Sequence, residues 1–349
     1  LPATVIADFK RWIEMGAPDP RIADKVIVKT EIDIEAGKQF WSFSQPVKKQ
    51  PPAVKDQQWP ASVIDRFVLA KLEANGLNPA ADALPDTLLR RLYFDLTGMP
   101  PSLEDITRYA EAWKQDPDKA YESEVDRLLA SRQYGERWGR HWLDVARYAE
   151  STGKEVNMAF PHAWRYRDYV IDSFNKDKPY DEFVREQIAG DLLPIKSDAD
   201  WQENLIATGF LAIGPKGLNE RSPRQFALDL ADEQIDTTTQ AILGLTVSCA
   251  RCHDHKFDPI PTADYYSLAG IFLSTKTYFG TVNAIQNRRG TKLLELPVAD
   301  VNPISSVSTR EISILKQRIS DSEKRFNELQ VVAAQDRLAG RSSNAGQQL

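Results

Sequence analysis

Cys249-Ala250-Arg251-Cys252-His253 sets two thiols three residues apart, with an imidazole directly after the second. The chain has 2 cysteines and 4 histidines in 349 residues. Both cysteines and two of the histidines, His253 and His255, fall in this one stretch. Thiols at that spacing can add to the two vinyl groups on one edge of a porphyrin while the adjacent imidazole ligates the iron, so the spacing is that of covalent haem attachment. The expected cofactor is one covalent haem c, anchored by Cys249 and Cys252 with His253 as proximal ligand. Two other chemistries use the same residues. A thioredoxin-like dithiol opens a helix after a buried strand, whereas residues 232–245 read as helix. Zinc takes four ligands in a tetrahedron, and Cys249, Cys252 and His253 or His255 would need a remote histidine to complete it. The third reading is therefore a zinc-stabilised binding scaffold.

What the iron does depends on its distal side. His255 stands too close to His253 along the chain to reach across the ring, so the distal candidates are His141, then His162, with Met158 behind them. His141 lies in residues 133–149, QYGERWGRHWLDVARYA, where Trp138, His141, Trp142, Val145 and Tyr148 fall on one helical stripe. Such a stripe suits the wall of a flat cofactor: Trp138 and Trp142 pack on the ring, and Arg147 and Arg165 pair with its propionates. The plain alternative is ordinary core tryptophans and a hydrogen-bonded histidine. A filled distal position makes an electron carrier. An open one makes a haem oxidoreductase acting on a small molecule or extracellular carbohydrate, with His255, Asp254 and Asp144 as the groups that move protons and Lys256, Asp258, Arg147 and Arg165 around them. For Asp254 and Asp258, beside Pro259 and Pro261, the alternative is turn capping. Asp229, Asp232, Glu233 and Asp236 share one helical face and read as a solvated acidic surface.

The elements that must position these residues are helical. Residues 1–18 read as one amphipathic helix, and residues 19–60 as a proline-punctuated linker with a weakly alternating, strand-like stretch at 27–34. Helices then follow one another. One carries Val63 to Leu72; a second carries Leu88 to Leu96 and stops before Pro100-Pro101. Ser102 with Asp105 opens a third, and residues 120–131 form a fourth. Beyond residues 133–149 and a loop at 151–161, helices continue through 162–174, 180–190 and 201–213. The helix at 225–245 delivers the cysteines, and a short aromatic one carries Tyr265 to Phe272. Residues 275–298 are strand-like, with a hairpin at 277–282. Residues 301–349 begin as a charged helix of near-heptad rhythm and end as a polar tail. The expected fold is mostly α, a multi-helix domain over residues 61–300 built around the haem, with minor β-hairpin elements.

Composition bounds the partners. A formal net charge of −6 and a pI near 5.5 give no basic field for nucleic acid. No run of 18 apolar residues marks a membrane span, and the first residues are not a signal peptide. A chain opening at Leu1 reads as a processed or excised piece. Thioether attachment takes place outside the bacterial inner membrane, so the haem reading implies a periplasmic or extracellular address.

Five separated strings, DRFVLAKLEANGL, RRLYFDLTGMPP, RWGRHWLDVARYAE, WRYRDYVIDSFNKDKPYDEFVREQIAGDLLP and GLTVSCARCHDHKFDPIPTADYYSLAGIF, resemble in order the helical domain that accompanies cytochrome c domains in large planctomycete-type secreted proteins. The likeness covers about residues 40 to 280. It implies export, covalent haem at Cys249 and Cys252 with His253 proximal, and a redox partner protein. It also implies an upstream cytochrome c domain, whose closing helix residues 1–21 resemble, and a further C-terminal domain. It implies no substrate.

Overall fold

The computed structural model describes residues 2–18, 33–296 and 309–339. Its chain divides into two units, Leu1–Pro297 and Val298–Leu349. The first holds α1 (Ala3–Glu14), α2 (Ile34–Lys38), α3 (Val63–Ala74), α4 (Pro85–Leu96), α5 (Leu103–Gln115), α6 (Pro117–Leu129) and α7 (Arg132–Val145). It continues with α8 (Ala163–Asn175), α9 (Tyr180–Ala189), α10 (Asp198–Ala207), α11 (Gly209–Ala212), α12 (Pro223–Thr238) and α13 (Thr262–Leu273). The described part of the second is one helix, α14 (Thr309–Leu338).

Local chemistry starts and stops these helices. Ser62 and Ser102 each accept from the backbone N–H three residues on, while Asp65 and Asp105 reach back to the cap. Each such cap contributes about 1 kcal/mol. Proline at the first turn, where its missing N–H costs nothing, opens α4, α6 and α12. Packing then sorts the helices into clusters. Leu89, Tyr93, Tyr109, Ala120 and Leu128 join α4, α5 and α6, while Leu143, Tyr166, Val170, Phe183 and Phe210 join α7 through α11. The cluster that carries the cysteine motif consists of Ile235, Val247, Ala250, Ile260, Tyr265 and Ala269, between α12 and α13.

The mostly α expectation holds, with local corrections. No strand forms among the described residues, where the one β-bridge joins Ser151 to Ala159. The segment expected to be a hairpin at 277–282 instead pairs at a distance: Thr291 N–H donates to the Thr281 carbonyl, and Thr291 Oγ1 accepts from Phe279 and Gly280. One side-chain hydroxyl and one backbone bond stand in place of a ladder. The strand-like stretch at 27–34 lies outside the described residues as far as residue 32, and Ile34 opens α2. Described residues of the linker are tied to the helical body: Glu73 on α3 accepts from the backbone of Lys55 and Asp56, and Val54 is buried. The single helix expected over 201–213 breaks at Thr208 into α10 and α11. The polar tail at 340–349 lies outside the described residues.

Candidate functional site

The cysteine motif does not ride on a helix. α12 ends at Thr238, a π-helical turn runs over Thr239–Leu243, and Gly244 then takes φ 66°, left-handed backbone that favours glycine. The chain thereby turns away from the helix axis and enters a 3-10 turn, Val247–Arg251. In that geometry residues three apart eclipse one another. Val247 and Ala250 therefore share the buried face, while Cys249 within the turn and Cys252 at its C-cap are both exposed.

Arg251, between the cysteines, fixes the turn from below. Its Nη1 donates to Asp232 Oδ2 at 2.9 Å, and Tyr265 Oη donates to Asp232 Oδ1 at 2.6 Å, so one carboxylate on α12 holds the motif and α13 together. Burial, with the Asp232 hydrogen bond, raises the Tyr265 phenol well above its usual range and keeps it a donor. Asp232 thus belongs to a packed network, and Glu233 to a second one described below; of the expected solvated acidic face, Asp229 is exposed, with Arg251 at 3.7 Å, and Asp236 is half-buried.

The two histidines of the motif differ. His253 is exposed, and its Nδ1 lies 2.7 Å from the Asp254 carbonyl. A carbonyl only accepts, so the proton sits on Nδ1 and the Nε2 lone pair is free. His255 is buried, and its N–H and both ring nitrogens are committed. Its N–H donates to Ile260 O at 2.9 Å, its Nδ1 accepts from Asp258 N at 2.9 Å and Phe257 N at 3.3 Å, and Nε2 lies 3.0 Å from Thr246 Oγ1. Two backbone donors require a lone pair on Nδ1, so the ring is the neutral Nε2–H tautomer, and Asp258 Oδ2 at 3.3 Å is a neighbour, not an ion-pair partner. Asp254 Oδ1 accepts from Thr262 N at 2.8 Å and so supplies the cap that Pro261 cannot give α13. His255 and Asp254, the expected proton-moving groups, are thus engaged in building the loop. His255→Ala leaves two backbone donors and a threonine hydroxyl unmatched in a buried site, a loss of about 2–3 kcal/mol. It should lower Tm and speed amide exchange first in residues 255–262; wild-type exchange there would contradict this account.

The other sequence-predicted residues are engaged elsewhere. Trp142 is core: its Nε1 donates to Gln187 Oε1 at 2.8 Å and Tyr166 Oη at 3.0 Å, and its ring packs on Phe183 and Phe210. Trp138 lies further round α7, donates to Asp95 O on α4 at 3.0 Å and meets the His141 ring edge-on. The α7 stripe that packs inward is Gly135, Gly139 and Leu143, against α8, so the aromatic stripe does not face the motif. His141 and His162 are exposed, on elements that pack on one another, while the motif turn packs on α12 and α13. Asp144 is exposed and pairs with Arg140. Arg165 stacks over Trp164. Met158 is partly buried and packs against the cluster of Val156, Phe160 and Phe279.

Arg147 leads to a second centre. It follows α7 at φ 55°, a left-handed conformation costing roughly 1–2 kcal/mol for a non-glycine residue, and its Nη1 binds Glu233 Oε1 on α12. Beside this pair lies Lys216, 2 % exposed, with Nζ 3.3 Å from the Gly214 carbonyl and over the rings of Phe160 and Phe279. Burial pushes the Glu233 carboxyl up and the Lys216 ammonium down to about 8. The sequence pattern assigns Lys216 no role. The signal was a lysine between glycines in an otherwise apolar stretch.

Among the described residues no three His, Cys, Asp or Glu side chains converge to hold a metal ion. Nor is any described helix long and apolar enough to cross a membrane. One family model, PSCyt2, described as a protein of unknown function (DUF1549), matches residues 63–277. No curated protein and no solved structure matches.

Proposed function

Since the chain belongs to the PSCyt2 family, whose description gives no function, we propose from the site itself that it is a c-type haem protein of electron transfer. One haem c would be held by Cys249 and Cys252, with His253 as proximal ligand. The observation that carries this reading is the pairing of two exposed thiols three residues apart with an adjacent imidazole whose Nδ1–H is bound to a carbonyl, leaving Nε2 free. The donor set fits covalent attachment and ligation from one side. It does not extend to the walls expected from Trp138, Trp142, Arg147 and Arg165, or to a distal ligand at His141 or His162, and the proposal omits them.

When bound, the haem supplies a one-electron couple. The chain's own residues hold its anchors: Asp232 fixes Arg251 between the thiols, Asp254 caps α13, and buried His255 keeps the following loop in register. Phe257 and Tyr266 are exposed at 79 % and 58 % beside the motif, an apolar surface suited to a redox partner domain or protein. Covalent attachment would be made on the periplasmic or extracellular side. The test is the absorption spectrum, oxidised and reduced, with a pyridine haemochrome assay, of the chain matured by cytochrome c assembly machinery. A haemochrome of the two-thioether type and a reversible one-electron wave are expected. A colourless folded protein, its thiols free or bridged, would overturn the reading.

A further inference from the structure

α14 takes no part in the haem proposal, and its sequence carries a seven-residue repeat. With Ile319 at position a of the heptad, Ile312, Phe326 and Ala333 also fall at a, and Leu315, Ser322, Leu329 and Asp336 fall at d. Only Ser322 and Asp336 break the apolar run. A stripe that recurs every 3.5 residues stays on one side of a helix only when that helix winds around another. In α14 the stripe stands open along its middle: Ile319 is 59 % exposed and Phe326 40 %, and burial is reached only towards the C-terminal end, at Ala333. A helix of 30 residues draws most of its stability from covering such a face, and little from intrinsic propensity.

The charges beside the stripe say what covers it. Arg318 and Arg325 stand at g and Glu323 and Gln330 at e, all but half-buried Gln330 being exposed. When two such helices run parallel and in register, each g residue meets the e residue of the next heptad on its partner. Arg318 then meets the second copy's Glu323, and Arg325 the second copy's Gln330, each contact occurring twice by symmetry. No like charges oppose one another there. With the helices reversed and their stripes fully overlapped, g meets g, and Arg318 faces the second copy's Arg325. The pattern therefore favours a copy of itself, in the parallel sense. Isoleucine at a with leucine at d, as at Ile312, Leu315, Ile319 and Leu329, favours two strands over three or four.

We propose that α14 is a self-association helix: two copies of this chain pair through a parallel, in-register, two-stranded coiled coil seated on Ile319, Phe326 and Leu329, with Arg318 and Glu323 setting its direction and register. Ser322 and Asp336 interrupt the apolar seam and lower its strength. The pair is therefore a reversible one that follows concentration.

The test is sedimentation of the whole chain over a concentration series, where a reversible shift from 39.4 kDa to twice that mass is expected. Ile319→Lys, at a position exposed in the single chain, should leave the first unit folded and weaken association at least about a hundredfold, since each partner loses an apolar contact and brings a charge into the seam. Arg318→Glu sets carboxylate against carboxylate and should weaken association about tenfold. Adding Glu323→Arg should restore it, which simple loss of helix would not allow. Direction is read by cross-linking in the Cys249→Ala/Cys252→Ala background. Ser322→Cys should link two chains on mild oxidation, because d positions meet across a parallel pair, and Lys324→Cys, at f on the far side, should not. A chain that is monomeric throughout, association untouched by Ile319→Lys or Arg318→Glu, or linkage at position 324 as ready as at 322 would overturn the proposal.

Discussion

Cys249→Ala/Cys252→Ala is expected to leave a folded chain that carries no covalent haem after maturation, a complete loss of colour at almost no cost in stability. The separation of these effects follows from the turn. Both thiols are exposed, whereas the residues that seat the turn, Val247 and Ala250, are buried and stay untouched. Substitutions at exposed positions without special partners stay within about 0.5 kcal/mol, so lost colour cannot be put down to misfolding. Single variants should each retain one thioether and one free vinyl group, moving the haemochrome band to longer wavelength than in the wild type. His253→Ala should keep both thioethers and change the coordination, since its imidazole holds iron and not the porphyrin edge. The measurements are haem staining under denaturing conditions, the haemochrome band and the melting temperature of each variant. Equal haem content in wild type and double variant would end the attachment hypothesis, as would a double variant that is unfolded.

Elements were legible in this sequence where a local rule was strong. Ser102 with Asp105 announced a capping box, and one is present; Pro100-Pro101 announced the end of a helix, and α4 stops at Leu96, before them. The motif itself was read from spacing alone. What did not transfer was orientation. Trp138 and Trp142 share a helical stripe, yet Gly135 and Gly139 decide how α7 sits, because a bare backbone lets α8 come close and the tryptophans are carried to its flanks. Sequence periodicity ranks large apolar residues and is blind to the small ones that set helix approach. Likewise, the carboxylates of α12 look alike in sequence, and only their partners, Tyr265 and a close Arg251 for Asp232 and Arg147 for Glu233, separate them from exposed Asp229, which Arg251 reaches only at 3.7 Å. Those partners are distant in the chain, so no local pattern announces them. Lys216 was missed for the same reason: its meaning lies in Glu233 and Arg147.

Gly135→Ala tests that approach directly, and two opposing effects set its sign. Alanine in a helix interior is ordinarily better than glycine by about 1 kcal/mol, because glycine loses more backbone freedom on folding. At position 135 an added Cβ would lie 2.4 Å from the Ile171 carbonyl and 2.5 Å from Asn175 Oδ1. The asparagine can swing aside, at the cost of its 2.8 Å hydrogen bond from Gly135 N–H; the Ile171 carbonyl belongs to α8 and cannot move without the helix. Shifting α8 would disturb Val170 and Tyr169, both buried in the largest cluster. The overpacking and hydrogen-bond losses together come to about 3–4 kcal/mol, so destabilisation wins by roughly 2–3 kcal/mol, a Tm fall on the order of 5–10 °C. One turn later the balance reverses. At Gly139 the nearest atom to a new Cβ is Ile171 Cγ1 at 3.4 Å, an ordinary contact, so Gly139→Ala should be neutral or stabilising by up to about 1 kcal/mol. Paired melts of the two variants read the sign of each; a Gly135→Ala protein as stable as Gly139→Ala would mean that α7 and α8 do not cross at residue 135.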